Sequence, residues 1–158
     1  MTVVKRYSVI LASTAALLLG LNTAALAADK KASKEEAIVK YRQEVMKSQG
    51  AHMSAAAAII MGKVDYKDQL TAHVTALEAT TKLISSLFPP GSDVGKTKAL
   101  KTVWTKKDEF DKRAKESEDM AEALAKAVAA GDTASYGKHF KALADACKSC
   151  HKDFRKKH

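Results

Sequence analysis

The chain has 158 residues, 46% of them hydrophobic, and carries 27 Lys and Arg against 18 Asp and Glu, a formal net charge of +9 at pH 7. That length suits one domain around one core. The cations are interleaved with Asp and Glu rather than gathered in blocks, so the charge favours acidic partners or anionic surfaces and argues against nucleic-acid binding.

The first segment is "MTVVKRYSVILASTAALLLGLNTAALA". It has a basic start at Lys5 and Arg6, an apolar run from about Val9 to Leu21 and the small-residue pattern Ala25-Leu26-Ala27. This is the pattern of a secretory signal peptide cleaved after about Ala27, and it predicts a periplasmic protein. The apolar run is short and is followed by "ADKKASKEE", which makes it a poor membrane anchor, so the mature chain, residues 28–158, is expected to have no membrane span. Loss of Lys5 and Arg6 lowers the net charge from +9 to +7.

Four segments then carry a helical apolar period, and none shows sustained strand alternation. The first is predicted to open at Ser33, with Glu36 completing a capping box, and to run through Ile38, Tyr41, Val45, Met46, Gln49, Met53, Ala56 and Ile59 to about Gly62. The second carries Leu70, His73, Val74, Leu77, Thr81, Ile84 and Leu87, and ends at "FPPGS", where two prolines remove backbone donors. A loop to about Ala99 follows. The third runs through Val103, Trp104, Phe110, Met120, Leu124 and Val128 to Gly131, and the fourth, capped by Asp132 or Thr133, runs through Tyr136, Phe140, Leu143, Cys147, His151 and Phe154. The expected fold is all-α, an antiparallel up-down-up-down four-helix bundle in a single domain.

Both cysteines lie in "DACKSCHKDFR", residues 145–155. A disulfide between positions i and i+3 would close a tiny loop and restrain little of the unfolded chain. A thioredoxin-like pair would sit at a helix start beside a strand, whereas this one lies near the end of the last helix. A zinc site would need further ligands, yet His52, His73, His139 and His158 have no paired spacing with the motif. The remaining reading is C-x-x-C-H, a c-type haem attachment in which Cys147 and Cys150 form the thioethers and His151 ligates the iron near the C-terminal helix. On a helix these three side chains project from one face. A non-haem bundle stapled by metal or disulfide is the competing reading.

A C-terminal CxxCH on the last helix of an exported bundle resembles the class II c-type cytochromes, in particular the cytochrome c′ family. The supporting motifs are "KYRQEVM", "LFPPGSDVGKTKA", "VW" and "CKSCHKDFRKK", which span nearly the whole mature chain. The resemblance implies one covalent haem c per chain. It implies that Arg42 pairs with a haem propionate, that Gln43 and Thr97 approach the haem, and that Arg155 sits on the proximal side. Phe154 departs from the pattern, since many relatives carry Tyr there. The resemblance also implies a homodimer through the first two helices, where "AHMSAAAAIIMG" offers small residues for close approach.

Met46 lies four residues after Arg42 on the same helical face, so it falls over the ring if Arg42 reaches a propionate. If its thioether stays off the iron, the expected protein has a five-coordinate iron that transfers electrons and binds small gases such as nitric oxide or carbon monoxide. The alternative is a low-spin carrier with Met46 as sixth ligand. No histidine stands at position 46 or one turn either side, so no peroxidase-like acid/base pair is visible and no enzymatic activity is expected. A redox partner is implied but not identified.

Overall fold

The computed structural model describes the backbone of residues 12–157 and the side chains of residues 34–157. Five α-helices are defined: α1 (Ala12–Ile60), α2 (Leu70–Thr81), α3 (Thr102–Thr105), α4 (Lys107–Ala129) and α5 (Tyr136–Phe154). No named strand occurs among the described residues. The all-α bundle expected from the periodicity is therefore the observed fold, with α1, α2, α4 and α5 as its four long members and α3 as a single turn leading into α4.

The element ends differ from the periodic reading for local reasons. The helix predicted to open at Ser33 is already under way, because "AALAADKKASKEE" contains no Gly or Pro to stop it and α1 runs unbroken through Ala27 and Ser33. Residues 1–11 of the expected signal peptide lie outside the described residues. The second periodic segment divides: α2 ends at Thr81 and a separate 3-10 turn, Ile84–Leu87, keeps the apolar stripe facing inward after the axis has changed. The third divides at Lys106, whose φ of −125° and ψ of 50° are not helical. The last helix begins at Tyr136, two or three residues later than expected, because Ser135 bonds back to Asp132 in a turn that precedes it.

The order of packing decides where a site can form. α1 lies on α2, α2 on α4 and α4 extensively on α5, while α1 and α5 meet far less. One apolar cluster joins Ala56 and Ile59 of α1, Leu70, Val74 and Leu77 of α2, Ala121, Leu124 and Val128 of α4, and Leu143 of α5. The other gathers Ile84, Leu87, Phe88, Val103, Phe110, Ala114 and Phe154. Truncating a fully buried member such as Leu124 to alanine is expected to cost about 2–5 kcal/mol.

Phe154 belongs to the second cluster. Its ring meets Phe110 edge-on at 5.3 Å, and Phe110 meets Phe88 at 4.9 Å. A phenyl ring suits this apolar setting, where a hydroxyl would require a partner.

Candidate functional site

The C-x-x-C-H motif forms the last turns of α5. Cys147 and Cys150 are not joined to each other. They divide between the two apolar clusters, Cys147 packing on the first and Cys150 on the second. Burial raises both thiols above the ordinary range, and burial together with the neighbouring Cys147 pushes Cys150 up to about 11. Burial, followed by the charge of Arg155, lowers His151, which favours the neutral imidazole that a metal requires.

Where α1 and α5 draw apart, an open cavity of about 460 Å³ separates them. Met53 forms its α1 wall, while Ala144, Cys147 and His151 form its α5 wall. Lys148, Lys152, Arg155, Lys156 and Lys157 complete the lining, and no carboxylate takes part. Sequence reasoning placed Met53 only among the apolar stripe. Its spacing was informative, because Arg42, Met46, Gln49 and Met53 recur at i, i+4, i+7 and i+11 on one face. Gln49 adds a further mark of an unmet group on that face: its Nε2 is buried without a hydrogen-bond partner. Met46 is half-buried against the second cluster, as is Cys150.

Arg42 occupies a different setting from a solvated helix charge, being 3% exposed. Its Nη1 donates to Ser92 Oγ, and its Nη2 donates to both the Ser92 carbonyl and Thr97 Oγ1, each at 2.8 Å. The guanidinium also lies 4.8 Å from the Phe88 ring centre and 5.4 Å from that of Trp104. Gln43 Nε2 donates to the Lys96 carbonyl at 3.0 Å. Burial lowers the arginine pKa and Asp93 partly offsets the shift; the guanidinium remains charged. The left-handed backbone at Gly91, φ 80°, and at Gly95, φ 61°, lets the loop turn back over these donors.

The same loop is tied to the end of α5. Leu100 N–H donates to the Phe154 carbonyl at 2.9 Å and Lys156 N–H donates to the Lys98 carbonyl at 2.8 Å, with Ala99 and Arg155 bridged in antiparallel fashion. Arg42, Gln43 and Thr97 are thus brought together, and Arg155 lies on the cavity beside His151. Met46 stands between these two groups along α1.

The residues fit a covalently held haem. Two half-buried thiols are unpaired with each other, a neutral imidazole shares their helix face, the facing helix stands off, and cations rim the gap where anionic propionates would be neutralised.

A profile of the family described as cytochrome c′ matches residues 37–155. The chain is 42% identical to cytochrome c′ of Pararhodospirillum photometricum over 121 residues, covering 76% of this chain and 97% of that one. It is 34% identical to cytochrome c-556 of Agrobacterium tumefaciens, covering 75% and 97%. Among solved structures, a nitric oxide complex of a variant of cytochrome c prime from Alcaligenes xylosoxidans superposes with a TM-score of 0.73 at 28% identity, covering 78% of this chain and 97% of that one. With the family profile spanning both the Arg42 loop and the C-x-x-C-H helix, the chain belongs to the cytochrome c′ family and is a c-type haem cytochrome.

Proposed function

We propose that Cys147 and Cys150 carry the haem thioethers, that His151 is the axial ligand, and that the opposite face of the iron is left free of protein ligands, so that the protein transfers electrons and binds a neutral diatomic gas. The observation that carries this reading is the cavity between α1 and α5, which reaches Cys147 and His151 and is walled on the α1 side by a methionine rather than an acid or base. When bound, haem supplies a one-electron couple and a site for a diatomic ligand. Met46 and Met53 provide an apolar, deformable surface that disfavours anions, whose charge would be costly to bury. The nitric oxide complex of the similar protein from Alcaligenes xylosoxidans supports the gas-binding reading.

In this reading Arg155 lies on the proximal side, and its place on the cavity lining with His151 supports it. Arg42 shapes the loop over the haem through its bonds to Ser92 and Thr97. The periplasm is the proposed location after cleavage at about Ala27; no helix among the described residues is long and apolar enough to cross a membrane. A homodimer is proposed through α1 and α2. Ala51, Ser54 and Met61 on α1 and the turn after it are exposed, whereas Ala56 and Ile59 face the core. Sedimentation that finds only monomer at high micromolar concentration would remove the dimer.

The decisive experiment is addition of carbon monoxide to the ferrous protein. Binding with conversion of a high-spin to a low-spin spectrum is expected. A ferrous protein that is already low-spin and refuses carbon monoxide, and that Met46→Ala opens to it, would establish the Met-ligated carrier instead.

A further inference from the structure

His52 on α1 and His73 on α2 take no part in the haem site. Their Nδ1 atoms face each other at 3.0 Å, and the rings are tilted by 52° with centroids 5.3 Å apart. Both residues are half-buried, and each is held by a helix packed directly on the other. One ring donates and the other accepts a single N–H···N bond across the contact of the two helices.

That separation has a metal-ligand meaning. An imidazole nitrogen binds a first-row divalent ion at about 2.0–2.1 Å, so two nitrogens this far apart would subtend roughly 95° at a shared ion. A near-right angle is the cis arrangement of a tetragonal or octahedral centre, whereas a tetrahedral ion would require the rings to separate further. Copper(II) and nickel(II) suit the angle better than zinc(II), and copper(II) binds imidazole most strongly of the three.

We propose that His52 and His73 form a two-imidazole clamp for a tetragonal divalent cation, copper(II) foremost, that ties α1 to α2 outside the haem site. No cluster of three or more His, Cys, Asp or Glu occurs among the described residues, so water completes the coordination and the site is open-sided. The donating ring must move its proton to Nε2 before it can ligate, and the ion then replaces the N–H···N bond with two bonds from nitrogen to metal. Because the ion would join two helices of the native state and find no such preformed pair in the unfolded chain, binding should raise thermal stability.

The test is calorimetric titration of the ferric holoprotein with copper(II), nickel(II) and zinc(II) chlorides in a non-coordinating buffer near neutral pH, with thermal unfolding measured in parallel. The ferric state leaves the haem without an electron to give copper(II). The expected result is one copper(II) per chain and a raised Tm. His52→Gln and His73→Gln should each weaken uptake by roughly tenfold or more and abolish the rise in Tm, while His139→Gln should leave both unchanged. The two variants alter different helices, and the visible haem spectrum reports whether each still folds. Failure of the wild type to take up one equivalent, or uptake of unchanged affinity in both variants, overturns the clamp. Tighter binding of zinc(II) than nickel(II) overturns the tetragonal geometry.

Discussion

The α1 helix serves two polar regions, and they are finished in opposite ways. Around Arg42 the partners are closed: a buried guanidinium is met by Ser92, Thr97 and two aromatic faces, and the loop that supplies them is bonded to the end of α5. Three turns further along α1, beside Met53, the groups are left open: the Cys147 thiol and the His151 imidazole on α5 face a gap, and Gln49 keeps a buried amide nitrogen without a partner. Leaving a buried donor unmet costs about 1–3 kcal/mol, so a fold that satisfies one region and leaves the other open is shaped for a group it does not itself contain. The closed region holds the open one in register, because Lys98 and Leu100 of the Arg42 loop bond to Lys156 and Phe154 at the end of the haem-binding helix.

The largest test acts on the open region. Cys147→Ala and Cys150→Ala should each weaken haem retention through acid-acetone extraction, and the double substitution should release the haem completely. His151→Ala should keep the thioethers and change the iron spectrum. Full release of haem from the wild-type chain under the same extraction would refute covalent attachment through these residues.

The next test breaks the closed region. Arg42→Ala leaves Ser92 without its charged partner in a buried setting and removes the cation from between Phe88 and Trp104, for an expected loss of about 2–4 kcal/mol. Arg42→Lys should recover little, since an ammonium cannot reproduce the planar fork that reaches Ser92 and Thr97 together. Urea denaturation of the holoprotein measures both. A loss below about 0.5 kcal/mol would place Arg42 among ordinary surface charges.

A third test addresses the row that joins the two regions. Met46→Ala and Met53→Ala both enlarge the space beside α5, but only the residue over the iron should change carbon monoxide affinity markedly. Met46 is expected to be that residue, with Met53 altering stability more than affinity. The reverse pattern, read from ferrous carbon monoxide titrations, would move the ligand side one full heptad along α1.

How much of this was legible beforehand follows from the range of each interaction. The C-x-x-C-H motif is local, and its three side chains share one helix face by spacing alone. The bundle was legible too, because four apolar periods separated by Gly and Pro leave few alternatives. The splits at Thr81 and Lys106 were not, since an apolar stripe continues across each break and periodicity cannot distinguish one helix from two segments facing the same core. The seat of Arg42 was hidden for another reason. Its partners Ser92 and Thr97 lie 50 and 55 residues away, in a loop whose course depends on left-handed glycines and on pairing with the far end of the chain. Met53 was readable from its place seven residues after Met46, but the stripe did not reveal that α5 stands away from α1 there.

The smallest expected effect separates the guanidinium from its hydroxyl partner. Thr97 Oγ1 accepts from Arg42 Nη2 at 2.8 Å and also from the Ala99 N–H at 3.1 Å, so it joins the arginine to the stretch that pairs with Arg155 and Lys156. Thr97→Val keeps the shape and removes both acceptor roles. The Ser92 carbonyl still accepts from Nη2, and Thr97 is only half-buried, so water can reach what the hydroxyl leaves. The expected loss is therefore about 1 kcal/mol, well below that for Arg42→Ala, with Thr97→Ser close to wild type. The midpoint of urea unfolding should fall at unchanged slope, and the haem spectrum should not move. A loss equal to that of Arg42→Ala would mean that the hydroxyl, rather than the buried cation, organises the loop. A shifted spectrum at unchanged stability would instead make Thr97 a direct contact of the haem.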